Sequence, residues 1–177
     1  MMTIGMAMNT YFQKLKALYL KNFGTAPTFP WEANAGHQLF ISPPDEDGDA
    51  QWTPKMAAPL PASVGSTLCS ELVSYYSSWY FLQMKGRIRN IDVNFLPFSS
   101  VEAATSAAKI AVSDGRDYFP KARCALLATC TVSGIDDMLL FYDQDTGSLF
   151  IYDPDKEAKH NVKASLPELI SEMEALL

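Results

Sequence analysis

At 177 residues, with 48% hydrophobic and 19% charged residues, the chain has the length and composition of one folded domain with a real core, which excludes global disorder. A net charge of −6 with a pI near 4.8 excludes the basic surface that a nucleic-acid binder needs, so no nucleic-acid partner is expected. The first predicted element is a helix capped by Asn9 or Thr10 and running to about Asn22. Tyr11, Phe12, Leu15, Leu18 and Tyr19 form its apolar face. Gly24 ends it, and Pro27 and Pro30 keep the following chain extended. His37–Ser42 (HQLFIS) reads as a short strand that stops at Pro43-Pro44, ahead of the acidic turn Asp45-Glu46-Asp47-Gly48-Asp49. Another extended piece carries Trp52 and Pro54, and the proline-containing stretch from Met56 to Gly65 reads as an ordered loop.

Ser66 or Thr67 then caps a second helix, with Leu68, Leu72, Tyr75, Tyr76 and Trp79 at helical spacing. A strand over Tyr80–Met84 turns at Lys85-Gly86 and returns over Arg87–Leu96. In that return Ile91, Val93 and Phe95 alternate with Asn90, Asp92 and Asn94, giving one dry face and one wet face. Ser99 or Ser100 opens an alanine-rich helix to about Val112, with Gly115 after its end. Arg123–Val132, Met138–Tyr142 and Ser148–Tyr152 are the last strands, joined by short polar turns. Ser165-Leu166-Pro167-Glu168 is a capping box that starts the closing helix, whose apolar face is Leu166, Leu169, Ile170, Met173 and Leu176/Leu177. The expected fold class is α+β: a mainly antiparallel sheet of about six strands with helices packed on it, in a single domain spanning residues 1–177.

The residue types that carry chemistry do not converge at recognisable spacings. Asp143-Gln144-Asp145-Thr146-Gly147 opens like a calcium loop, but its twelfth position is Pro154 where a bidentate Glu belongs. His37 and His160 with three scattered cysteines provide no zinc spacing. Cys69, Cys124 and Cys130 read as buried thiols, the latter two sharing one face of a strand. There is no GxSxG elbow, dinucleotide fingerprint or phosphate loop. The expectation is a non-enzymatic protein with no cofactor and no metal. The N-terminal segment has neither the basic start nor the long apolar run of a signal peptide, and no run approaches a membrane span, so a cytoplasmic protein is expected.

The candidate partner-binding residues are Asp45, Glu46, Asp47 and Asp49 in the first acidic turn, Trp52 beyond it, and Asp136 and Asp137 in a later hairpin turn. With Asp153, Asp155 and Glu157 they are candidates for an acidic rim that would steer a basic protein partner, the alternative being independent solvated turns. The aromatic run Tyr75, Tyr76, Trp79, Tyr80 and Phe81 is an alternative anchor set, with core packing as its simpler role.

The order of these pieces resembles the Syd proteins of bacteria, within the SUKH superfamily. The similarity is carried by FQKLKALYLKNFG leading into proline, HQLFIS, Gln51-Trp52-Thr53-Pro54, LCSELVSYYSSWY, the hairpin ending in Asp145-Thr146-Gly147, and the closing LPELISEMEALL. It departs from the Syd pattern at Leu96-Pro97-Phe98-Ser99-Ser100 and at Lys109–Asp114. The resemblance implies a Syd-like domain that docks through an acidic surface on basic cytoplasmic loops of the SecY translocon, peripheral on the inner membrane. The alternative that it implies, in second place, is a SUKH-type immunity protein that neutralises a nuclease toxin. The oligomeric state stays open.

Overall fold

The first helix, α1 (Ile4–Phe23), begins earlier than its apolar spacing indicates, because Thr3 is its cap and the Thr3 hydroxyl accepts the Met6 N–H at 3.3 Å. Ile4, Ala7 and Met8 thereby extend the buried stripe of Tyr11, Phe12 and Leu15. Gly24 ends the helix in the left-handed conformation, φ 71°, where a Cβ would be strained. The computed structural model describes residues 1–31 and 37–177.

β1 (Thr28–Pro30) pairs antiparallel with β2 (Asp49–Gln51) as a small ribbon. The expected strand at His37–Ser42 is instead a 3₁₀ turn, His37–Leu39, followed by a single bridge between Phe40 and Trp52. A second ribbon pairs β3 (Lys55–Met56) with β4 (Trp79–Tyr80). Between them the expected loop contains α2 (Ala62–Gly65), and the second helix, α3 (Ser70–Tyr76), starts after Cys69 rather than at Leu68. Neither Ser66 nor Thr67 caps it. The Thr67 hydroxyl donates back to the Val64 carbonyl at 2.7 Å, and the Cys69 N–H is taken by the Gln144 side chain at 2.9 Å.

The main sheet has seven strands, all antiparallel, where about six were expected. They are β5 (Met84–Ile88), β6 (Ile91–Phe95), β7 (Cys124–Val132), β8 (Ile135–Asp143), β9 (Ser148–Asp153), β10 (Ala158–Val162) and β11 (Glu174–Ala175). Their order across the sheet is β10-β9-β8-β7-β6-β5-β11. Lys85 and Gly86 are not the turn between β5 and β6; they lie inside β5, and the chain reverses at Arg89-Asn90, with Arg89 at φ 56°. Gly86 is required there by packing. A Cβ on it would sit 2.8 Å from the Met173 Cβ and 2.9 Å from the Glu174 carbonyl, so β11 reaches the sheet only across a glycine.

On the inner face of the sheet α1 packs beside α5 (Leu166–Glu172), while α4 (Val101–Tyr118) lies on β7. The Tyr11 hydroxyl donates to the Lys85 carbonyl at 2.7 Å and accepts the Lys85 N–H at 2.9 Å, tying α1 to β5. Lys14 reaches the Ser171 and Met173 carbonyls at 2.6 and 3.0 Å, satisfying acceptors at the end of α5. The capping box at Ser165 and Glu168 forms as expected, but α5 stops at Glu172 because the next residues join the sheet as β11. Gly115 is not past the end of α4 but within it, for a reason developed below. The aromatic run belongs to the core: Tyr75, Tyr76, Tyr80 and Phe81 are buried, and Trp79 is partly buried against Phe12 at 6.2 Å.

Cys124 and Cys130 do not share a face. A bulge between Leu126 and Ala128 adds one residue to β7, so Cys130 enters the main core while Cys124 joins Phe141 and Phe150 on the opposite side. Burial pushes the Cys130 thiol up to about 12 and the Cys124 thiol upward as well, so both stay neutral and poorly nucleophilic.

Candidate functional site

The first acidic turn is built by one carboxylate. The Asp45 Oδ1 accepts the Asp47 and Asp49 N–H groups at 3.0 and 2.9 Å, and Gly48 takes φ 85° to complete the reversal into β2. That arrangement leaves the Glu46 and Asp47 side chains projecting into solvent. Asp136 and Asp137 lie at the exposed start of β8, where Asp136 accepts the Thr131 hydroxyl at 2.6 Å and Asp137 adopts φ 63°. Three ion pairs occur among the described residues: Arg87–Asp92, Arg123–Asp145 and Lys156–Asp153. None of them engages Asp45, Glu46, Asp47, Asp49, Asp136 or Asp137.

Trp52 has no exposed surface at all. It sits in the core against Phe12, ring centroids 6.5 Å apart, so it acts on folding and has no face to offer a partner. Asp153 also leaves the proposed rim. It is buried at the end of β9, where its carboxylate accepts the Asp155 and Lys156 N–H groups and pairs with the Lys156 ammonium at 2.9 Å. The Lys156 hydrogen bond holds its carboxyl below the ordinary range. Asp155 and Glu157 remain exposed.

The marked concavity lies elsewhere. A cavity of about 590 Å³ opens on the inner face, between the β5–β6 and β7–β8 hairpin tips, β10 and α5. That is within the roughly 300–1,000 Å³ typical of small-ligand sites. Its floor is aliphatic: Ile88, Ile91, Val132 and Val162 are half-buried over the buried Met138, Ile151 and Leu169. Arg89, Lys163 and His160 stand among its lining, with Glu172 from the end of α5. None of the acidic turn residues named above, other than the ion-paired Asp153, lines it. The two hairpin tips are stapled together, since the Asn90 side chain donates to the Ser133 hydroxyl at 2.7 Å and the Ser133 N–H to the Asn90 carbonyl at 2.9 Å.

The sequence pattern does not reveal this cavity, because Lys85-Gly86 reads as the first hairpin turn four residues too early and nothing signals β10. The readable signal was the pair Ile88 and Ile91 flanking Arg89-Asn90, which is an apolar step around a polar reversal. β10 (AKHNV) has no apolar alternation to betray it; its pairing with β9 is imposed by the hairpin.

A second hollow of about 310 Å³, at the other end of β7, holds Arg116, Lys121 and Arg123 with Thr67 and Gln144. Arg123 is already paired with Asp145 at 3.2 Å. Among the described residues no group of three or more His, Cys, Asp or Glu side chains is placed to hold a metal ion, and no helix is long and apolar enough to cross a membrane. No protein-family model matches the chain, and no curated protein matches it.

Proposed function

We propose that this protein acts by binding, without turning over a substrate, and that it docks a basic protein partner through the carboxylates of its acidic turns. The observation that supports this is that no ion pair among the described residues engages Asp45, Glu46, Asp47, Asp49, Asp136 or Asp137, in a chain whose net charge is −6. Carboxylates left unneutralised at turns create a field that accelerates encounter with a positive surface. The contact would be made by projecting turns and not by the concavity, whose unpaired charges lean positive. A seven-stranded antiparallel sheet with helices packed against it accords with the Syd-like, SUKH-type resemblance.

In the Syd-like form of this proposal the partner is the set of basic cytoplasmic loops of the SecY translocon, and the protein is cytoplasmic and peripheral on the inner membrane. In the second form it is an immunity protein against a basic nuclease toxin; the same surface chemistry supports it. Pull-down against SecY and against a candidate toxin domain at rising salt tests both. Binding to one of them should weaken steeply between about 50 and 500 mM salt, and the Asp45/Asp47/Asp49→Asn variant should weaken it further. Salt-independent binding removes the electrostatic mechanism. Trp52→Phe should leave partner affinity unchanged in a folded variant, because Trp52 is enclosed.

A further inference from the structure

We infer that the inner-face cavity is a binding site for a linear aliphatic carboxylate, with the chain laid on the aliphatic floor and the headgroup held by Arg89 and Lys163. The inference goes beyond the docking proposal and uses none of its residues.

The floor supplies the first half of the argument. Ile88, Ile91, Val132 and Val162 all point to the same side of the sheet as the core, yet remain only half-buried. Ile135, at the lip, is 53% exposed. Inward-facing aliphatics are normally covered by a helix, and here α5 extends over them only as far as Leu169 and Glu172. Contiguous apolar surface in a concavity of ligand size calls for an apolar occupant.

The rim supplies the second half. Lys156 is neutralised by Asp153, and neither Arg89 nor Lys163 forms an ion pair among the described residues. Against these two cations the lining sets one unpaired carboxylate, Glu172. Two unneutralised cations beside an apolar hollow, in a protein with a net charge of −6, select an anion with a hydrocarbon tail. The Asn90–Ser133 staple fixes the tip that carries Arg89, so its position is set before a ligand arrives.

The shape of the floor favours an alkyl chain over a peptide. Ile88, Ile91, Val132 and Val162 offer only side-chain methyls and methylenes, and although Asn90, Ser133, His160 and Asn161 also line the cavity, a peptide laid on the aliphatic floor would leave its amides there without partners, at a cost that an alkyl chain does not incur.

The test is calorimetric titration of the full chain with hexanoate, octanoate, decanoate and dodecanoate, with amide-shift mapping of the bound form. Affinity should rise about fourfold per added methylene until the floor is filled, with shifts centred on Ile91, Val132 and Val162. Octanol should bind about tenfold more weakly than octanoate. The double variant Arg89→Gln/Lys163→Gln should bring octanoate down to the level of octanol while leaving octanol binding unchanged, and Glu172→Gln should tighten octanoate. Ala164→Trp, which fills the cavity from a half-buried position, should abolish both. Affinity independent of chain length, shifts mapping elsewhere, or full octanoate binding by the double variant overturns the assignment. So does tighter binding by a short Leu-terminated peptide than by dodecanoate, which would make the occupant a protein terminus. Loss of salt-sensitive partner docking with intact octanoate binding would sink the docking proposal alone.

Discussion

The two ends of β7 present the same sheet face under opposite conditions. At its start, α4 lies so close that a Cβ on Gly115 would fall 1.9 Å from the Cys124 carbonyl oxygen, and the helix meets the sheet through Ala104, Ala108, Ala111 and Gly115. At its far end, beyond the reach of α4, Val132 and its neighbours Ile91 and Val162 are left half-covered around the cavity. Small side chains bring a helix down onto the strand, and large aliphatic ones without a helix leave a hollow. The covered end is therefore where stability is concentrated, and the open end is where a ligand can enter without unfolding anything.

The sharpest way to break this comparison is Gly115→Ala. The added methyl cannot fit beside backbone, so α4 must lift from β7, and the variant should lose about 3 kcal/mol in urea unfolding. A loss under about 0.5 kcal/mol would mean that the close approach is not a constraint. Ser100→Ala comes next. It removes the hydroxyl that accepts the Ala103 N–H at 3.1 Å at the start of α4, and should cost about 1 kcal/mol by the same measurement. At the open end Ile135→Ser should stay within about 0.5 kcal/mol of the parent, since that side chain is mostly in solvent. A large loss there would show that the hairpin tip is packed and the cavity closed.

The smallest expected effect concerns acid. Asp92, on the outer face of β6, is bonded to Arg87 at 2.7 Å, and that hydrogen bond holds its carboxyl below the ordinary value. Because the folded-state value is depressed, the contribution is present above the unfolded value of about 3.9 and is lost as pH falls through the lower folded one. Glu168, held down by the Ser165 N–H in the capping box, behaves in the same direction. Urea midpoints of the parent and Asp92→Asn should therefore differ slightly at pH 6 and draw together as the pH falls below the unfolded value of about 3.9. A gap that does not narrow with falling pH would assign the difference to something other than this carboxylate's charge.

Thiol chemistry checks which side of the sheet each cysteine occupies. With Cys124 and Cys130 buried and their thiols pushed upward, the half-buried Cys69 should be the first to react with an aromatic disulfide reagent in the folded chain. Fast reaction of Cys130 would contradict the bulge at Leu126–Ala128.

Much of the architecture could be read from local pattern. The α1 stripe of Tyr11, Phe12, Leu15 and Tyr19, the alternation of Val93 and Phe95, a serine cap at Ser99 or Ser100 (Ser100 in the fold) and the Ser165–Glu168 box are each properties of a few neighbouring residues, and each forms as the spacing indicates. The acidic turn at Asp45 is equally local, because an Asx side chain closes it on its own backbone. The failures share a cause. Gly86 and Gly115 look like chain breakers in one dimension, yet both are glycines because another segment, β11 in one case and β7 in the other, presses against them.

The chain's own order of residues thus determined the α+β class, the antiparallel pairing of the strands, the starts of α4 and α5 and the exposure of the turn at Asp45, since propensity, alternation and capping act over a few positions. Only the tertiary structure decided that Trp52 is core, that Cys124 and Cys130 face opposite ways, that β10 and β11 complete the sheet, and that an aliphatic hollow lined also by Arg89 and Lys163 opens at its end. Those outcomes depend on which distant segments come into contact, and steric fit between segments leaves no periodic trace in the residues that supply it.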